Sequence, residues 1–195
     1  MPLKSRLAKQ RVPRNNSGMT SLIGRRRFLA AAGLSLVLPR PALANTGARA
    51  LAFDNIHTGE KLKVEYWADG QYLPDALSEV NHVLRDFRSG EVHPIAPGLL
   101  DLLATLRGQL ETSAPITVIS GYRSPLTNAR LRSEHEHSGV ASKSLHMQGM
   151  AIDIRVAGRS LTSVHDAALL LRSGGVGYYP SSDFVHVDVG RVRTW

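Results

Sequence analysis

The sequence predicts a single α+β domain, and three observations carry that prediction. Leucine-rich stretches at helical spacing fall mainly in the first half of the chain, and short β-branched runs with strict apolar/polar alternation dominate the second. The apolar and charged fractions, 43% and 21% of 195 residues, are ordinary, which excludes disorder, collagen-like repeats and a multi-span membrane protein. Because helices mostly precede strands, the expected arrangement is an antiparallel sheet with helices packed on one side, not a βαβ repeat.

The chain opens with a segment that is not part of this domain. Gly24-Arg25-Arg26-Arg27-Phe28-Leu29 leads into the apolar run Ala30–Leu38 and then Pro39-Arg40-Pro41-Ala42-Leu43-Ala44, a charged region, a short apolar region and an Ala-x-Ala cleavage signal. The apolar run is too short for a permanent bilayer-spanning helix, so no stable membrane span is expected after cleavage. Paired arginines before Phe-Leu resemble the twin-arginine export signal, which implies the twin-arginine machinery as a partner, export as a folded protein and a periplasmic location. Residues 1–44 hold nine of the 24 Lys and Arg and none of the 16 Asp and Glu. The remaining fifteen basic and sixteen acidic side chains nearly cancel, so the formal charge of +8 belongs to the leader and gives no support to nucleic-acid binding. There is no cysteine, which excludes disulfides, thiolate metal sites and a cysteine nucleophile. No Ser-x-x-Lys occurs either, which excludes the serine penicillin-binding chemistry.

Residues 45–51 read as a linker and 52–195 as the domain. Leu51–Tyr66 alternates around a turn near Thr58-Gly59, as a β-hairpin does. Leu77, Val80, Leu84 and Phe87 recur at helical spacing after Pro74-Asp75, predicting a helix over 75–88, and a leucine face predicts a second from Pro97 to Leu110. Pro115–Ser120 is a β-branched run that Gly121 ends, Thr127–Ser133 a short helix, and 133–143 a polar loop. Met150–Val156, Gly174–Tyr178 and Phe184–Val189 read as strands, with a third main helix over Leu161–Leu171.

The chemistry lies in two of these strands. In Ala151–Val156 the residues Ile152, Ile154 and Val156 share one face and Asp153 takes the other; in Phe184–Val189 the valines share a face while His186 and Asp188 project together. If the strands are neighbours, a carboxylate and an imidazole converge, and His146, seven residues before Asp153 with Gly149 between, can turn back to the same point. Two neutral imidazoles and one carboxylate form the ligand set of a catalytic zinc site with an open position, and such a Zn2+ ion lowers the pKa of its bound water to about 7, making a nucleophile. His135 and His137, spaced for a metal but flanked by Glu134 and Glu136, read instead as a solvated loop.

Ser144-Leu-His146-Met-Gln-Gly149-Met-Ala151-Ile-Asp153 matches the Ser-x-His-x-x-Gly-x-Ala-x-Asp pattern of the zinc D-Ala-D-Ala peptidase superfamily, and Asp183-Phe-Val-His186 resembles its second motif. Ser120–Asn128, Gly174–Pro180 and Val192–Trp195 resemble the K-type murein endopeptidase subgroup. The resemblance implies a Hedgehog/DD-peptidase-like fold, zinc held by His146, Asp153 and His186, and hydrolysis of peptide bonds in peptidoglycan stem peptides or cross-links. It also implies Asp183 as the base acting on zinc-bound water, and Arg123 as the cation for the oxyanion or a substrate carboxylate. Asp188, on the strand face of His186, is the alternative base or a residue that orients a ligand. Two other functions remain open on the sequence: a D-Ala-D-Ala carboxypeptidase, and a non-catalytic zinc-containing cell-wall binding module.

Overall fold

The computed structural model describes residues 47–134 and 141–195; the leader read over 1–44 and the pair His135 and His137 lie outside them. The elements in order are β1 (Arg49–Asn55), β2 (Lys61–Ala68), β3 (Gln71–Tyr72), α1 (Pro74–Val83), α2 (Pro97–Gln109), β4 (Ile116–Ser120), α3 (Pro125–Ser133), a 3-10 helix (Leu145–Gln148), β5 (Ala151–Val156), α4 (Leu161–Leu171), β6 (Gly175–Tyr179), a second 3-10 helix (Pro180–Ser182), β7 (Phe184–Asp188) and β8 (Arg193–Thr194). The class is α+β. β1 begins at Arg49, inside the stretch read as a linker.

The eight strands form one sheet in the order β3-β2-β1-β4-β5-β7-β6-β8. An all-antiparallel sheet was the expectation, and the structure corrects it: β1 pairs with β4 in parallel, and β6 with β8 in parallel, so the sheet is mixed. The physical reason lies in the connections. The long excursion through α1 and α2 returns the chain to the same end of the sheet from which β1 started, which only a crossover between parallel strands allows.

The predicted hairpin forms, closed by a polar side chain. Buried Asn55 accepts from the backbone N–H of His57 and Thr58 and donates to the carbonyl of Val83, tying the turn to the end of α1. That helix stops at Val83, five residues before the predicted end, because the chain beyond it is drawn into loop contacts. The Leu84 carbonyl accepts from the Tyr122 N–H, and the Asp86 side chain accepts from the Ser124 and Arg88 N–H groups.

Helices α2 and α4 pack on each other, α2 against β1 and α4 against β5, β6 and β7. Their leucines and Val164 close over Ile116, Val118, Ile152, Ile154, Val185 and Val187 in one apolar cluster. Helix α3 adds no apolar face; its buried residues are Thr127 and Asn128. The opposite face of β4, β5, β7 and β6 is left for polar residues, and the site lies there.

Candidate metal centre

Two adjacent strands place two ligands by register alone. β5 and β7 are antiparallel with Asp153 directly opposite His186, so the carboxylate and the imidazole leave the same face of the sheet side by side. His146 arrives from the 3-10 helix, which ends at Gly149 with φ +64°. A Cβ at Gly149 would also collide with the backbone of Pro94 and Ile95, so this tight reversal requires glycine. The three side chains then meet with short separations. His186 Nδ1 lies 2.9 Å from Asp153 Oδ1, His146 Nε2 lies 3.3 Å from the same oxygen, and the two ring nitrogens are 3.2 Å apart. All three residues are buried.

The outer nitrogens determine what the inner ones can do. His146 Nδ1 is 2.7 Å from the Gly121 carbonyl oxygen, which only accepts, so Nδ1 carries the proton and Nε2 presents a lone pair inward. His186 Nε2 is 3.0 Å from Asp188 Oδ2, so its Nδ1 likewise presents a lone pair. With neutral rings, two imidazole lone pairs and a carboxylate face one point with no donor among them. This arrangement repels itself unless a proton on one imidazole or a cation sits in the middle, and it is the donor set that a divalent metal ion selects. The residues present therefore fit a metal ion.

The same crowding sets the acid-base balance. Burial opposes the charge of Asp153, yet the imidazoles of His146 and His186 hold its carboxyl well below the usual carboxylate range. Burial pushes His186 down, but the hydrogen bonds with Asp153 and Asp188 outweigh it and leave the ring above the ordinary imidazole value.

The two remaining acidic candidates occupy different surroundings. Asp188 has no exposed surface. Its Oδ1 accepts from the N–H groups of Gly175 and Gly190 at 2.9 and 2.8 Å, and Arg193 donates to both oxygens at 3.1 and 2.7 Å. Burial would raise it, but His186, Arg193 and the two backbone donors hold it well below the carboxylate range. Asp183 caps the second 3-10 helix at φ +54°, with its side chain 64% exposed and 2.9 Å from Arg155 Nε. It borders a separate hollow with Thr117 and Arg155, and it is not among the residues around the ligands.

Arg123 stands beside the ligands, its Nη2 3.7 Å from Asp153 Oδ2 and 3.4 Å from Ser120 Oγ. Its buried Nε has no protein partner, and burial draws its pKa below the ordinary guanidinium value against the pull of Asp153. The surrounding hollow of about 320 Å³ has cations in Arg123, Lys143 and Arg193, and aromatic walls in Tyr179, Phe184 and Trp195. The Trp195 ring lies 5.2 Å from that of His186, and a Cβ at Gly177 would strike the indole within 3 Å. Sequence reasoning singled out neither Arg193 nor Lys143. Two signals for Arg193 were available, its place in the Val192–Trp195 run that carries the resemblance and Gly175, where a side chain would fill the space that the guanidinium takes.

A mixed sheet with apolar helices on one face carries on the other a His-Asp-His group that could hold one metal ion, in an open hollow with room for a substrate. The family model described as peptidoglycan L,D-endopeptidase MepK matches residues 43–195. The chain belongs to this family, which is a family of metal-dependent peptidases. It is 44% identical over 177 residues to the peptidoglycan L,D-endopeptidase MepK of Escherichia coli K12, covering 88% of this chain and 96% of that protein. The Shigella flexneri protein of the same name gives the same figures. A probable peptidoglycan L,D-endopeptidase MepK of Haemophilus influenzae is 42% identical over 178 residues, covering 88% and 95%.

Proposed function

We propose that this protein is a zinc-dependent endopeptidase that cleaves peptide bonds in peptidoglycan, the L,D bonds for which its relatives are named, on a Hedgehog/DD-peptidase-like fold. The observation that carries the reading is the convergence of His146 Nε2, His186 Nδ1 and Asp153 Oδ1 on one point, 2.9 to 3.3 Å from one another. His146, Asp153 and His186 would hold the ion, two imidazoles and a carboxylate being the ligand set of catalytic zinc sites. When bound, zinc polarises the scissile carbonyl and lowers the pKa of its water to about 7.

The protein's own groups do the rest. Arg123 holds the developing oxyanion or a substrate carboxylate with a guanidinium that protein acceptors leave incompletely used. Lys143 at the rim adds a second positive charge for the carboxylates of stem peptides. Asp188 has every oxygen engaged and serves to orient His186. Asp183, exposed and three residues before His186, is paired with Arg155 beside a neighbouring hollow, and to take the proton and pass it to the leaving amine it must part from Arg155 and turn toward the ligands.

Digestion of purified sacculi, with products identified by mass, tests this reading. The wild type should release cross-link fragments and stop on chelation, while Asp183→Asn should keep its metal and lose roughly 10²–10⁴ in rate. Release of terminal D-Ala alone would make the protein a carboxypeptidase, and binding to sacculi without cleavage would make it a binding module. An Asp183→Asn variant of full activity removes Asp183 from the mechanism.

We also propose a twin-arginine leader and a periplasmic site of action. A wall substrate requires export, and among the described residues no helix is long and apolar enough to cross a membrane. Replacing Arg25 and Arg26 with Lys should leave precursor in the cytoplasm, and normal delivery of that variant would exclude the twin-arginine route.

A further inference from the structure

We infer that Arg193 is a positioning residue for the metal centre, acting through Asp188 on His186. The inference rests on the metal-binding reading above and adds a layer to it. Asp188 and His186 lie two residues apart on β7 and so share a face, and Asp188 Oδ2 accepts the hydrogen bond of His186 Nε2–H at 3.0 Å. A carboxylate on its own can rotate about χ2 and present either oxygen. Here it cannot, because Arg193 Nη1 and Nη2 grip the two oxygens at 3.1 and 2.7 Å in a fork-to-fork pair, fixing the plane of the carboxylate. The N–H groups of Gly175 and Gly190 hold Oδ1 from two further directions. Of the five donors around Asp188, Arg193 alone brings a permanent charge into a place where the carboxylate has no exposed surface.

Three other features mark the pair as built. Gly175 has no room for a Cβ, which would fall on the Asp188 carboxylate and the Arg193 guanidinium. Arg193 begins β8, which is laid parallel on β6 opposite Gly175, so backbone pairing sets the position from which the side chain reaches back. The guanidinium also stacks 4.7 Å from the Trp195 ring, which restrains its outer side. The resulting chain runs from Trp195 and Arg193 through Asp188 to His186 and the metal.

Arg193 also borders the hollow, so direct contact with substrate is the competing role. Zinc affinity of the purified protein, measured by competition with a chelating dye, separates the two. Arg193→Met should weaken zinc binding by roughly 10–100-fold. Arg193→Lys should recover part of that loss, since it keeps the charge without the fork. The double variant Arg193→Met/Asp188→Asn should bind zinc no more weakly than Asp188→Asn alone, because the two residues act in series. With zinc saturating, Arg193→Met should regain most of its activity at unchanged KM.

Wild-type affinity in Arg193→Met, or additive losses in the double variant, overturns the proposal. So does a KM that stays raised at saturating zinc, which would make Arg193 a substrate contact. A wild type that binds no zinc would instead defeat the metal reading itself. Circular dichroism of the metal-free variants guards against mere unfolding, and if Arg193→Met does not fold, Arg193→Lys and its double variant carry the same comparison.

Discussion

The two faces of β5 and β7 are made from alternate residues of the same strands, yet they hold together by opposite means. On the helix side, Ile152, Ile154, Val185 and Val187 are at most 1% exposed and are held by packing that any apolar surface of the right shape would supply. On the other side, Asp153, His186 and Asp188 are nearly as buried, but they are held by directed polar contacts, with His186 between the two carboxylates and Asp188 taken up by Arg193 and two backbone N–H groups. One face tolerates exchange of like for like and resists loss of volume. The other tolerates loss of volume and resists any change in the count of donors and acceptors. Burial therefore does not distinguish core from site here, but the hydrogen-bond inventory does.

The largest effect expected from that contrast is at Asp153. Asp153→Asn keeps the shape but replaces an acceptor by a donor aimed at the imidazole lone pairs. Metal binding and hydrolysis should be lost, while the metal-free fold should keep most of its melting temperature, because the amide fills the same volume. A marked fall in metal-free melting temperature would show that the site face stabilises the fold after all. Next comes Ile154→Ala on the opposite side of the same strand. It should cost about 2–5 kcal/mol in denaturant unfolding and leave zinc content per folded molecule unchanged. A matching loss of zinc affinity would mean that the two faces are not independent.

The smallest effect concerns the loop that carries Arg123 and the Gly121 carbonyl behind His146. Burial raises the carboxyl of Asp86, but hydrogen bonds from Thr127, Ser124 and Arg88 outweigh it and hold the pKa down to about 2. A depressed carboxylate contributes stability above its unfolded value near 3.9, and that contribution is lost as the pH falls through the folded value. Asp86→Asn should therefore cost on the order of 2 kcal/mol at pH 7, with the gap to wild type closing as the pH drops from about 4 to 2. A gap that does not vary with pH would show that shape, not charge, is what Asp86 supplies.

Alternation made both faces of β5 and β7 legible in the sequence, because a period of two assigns Asp153 and His186 to one side and their neighbours to the other. What alternation does not carry is the identity of the neighbouring strand. Nothing in Ile116–Ser120 says that it lies parallel to β1, and two-residue strands such as β3 and β8 are too short to show a period. Asp86 sits between Arg85 and Phe87-Arg88 and reads as surface, and only the tertiary approach of Ser124 makes it buried. The separation of Asp183 from Asp188 was equally invisible. One precedes the strand and the other ends it, and their different fates depend on a positive φ at Asp183 and on the arginine each one meets, Arg155 for Asp183 and Arg193 for Asp188.

The strand order has a consequence for how the protein is made. His186 lies on β7, which is inserted between β5 and β6, and 33 residues separate it from Asp153. A chain emerging from the ribosome displays His146 and Asp153 well before it can offer the third ligand, and β7 must then slot between two strands that precede it. Non-local pairings of this kind form late and slowly. The point that we propose binds metal therefore needs the most C-terminal of its ligand strands in place, and uptake of an ion there would report completion of the fold, not initiate it.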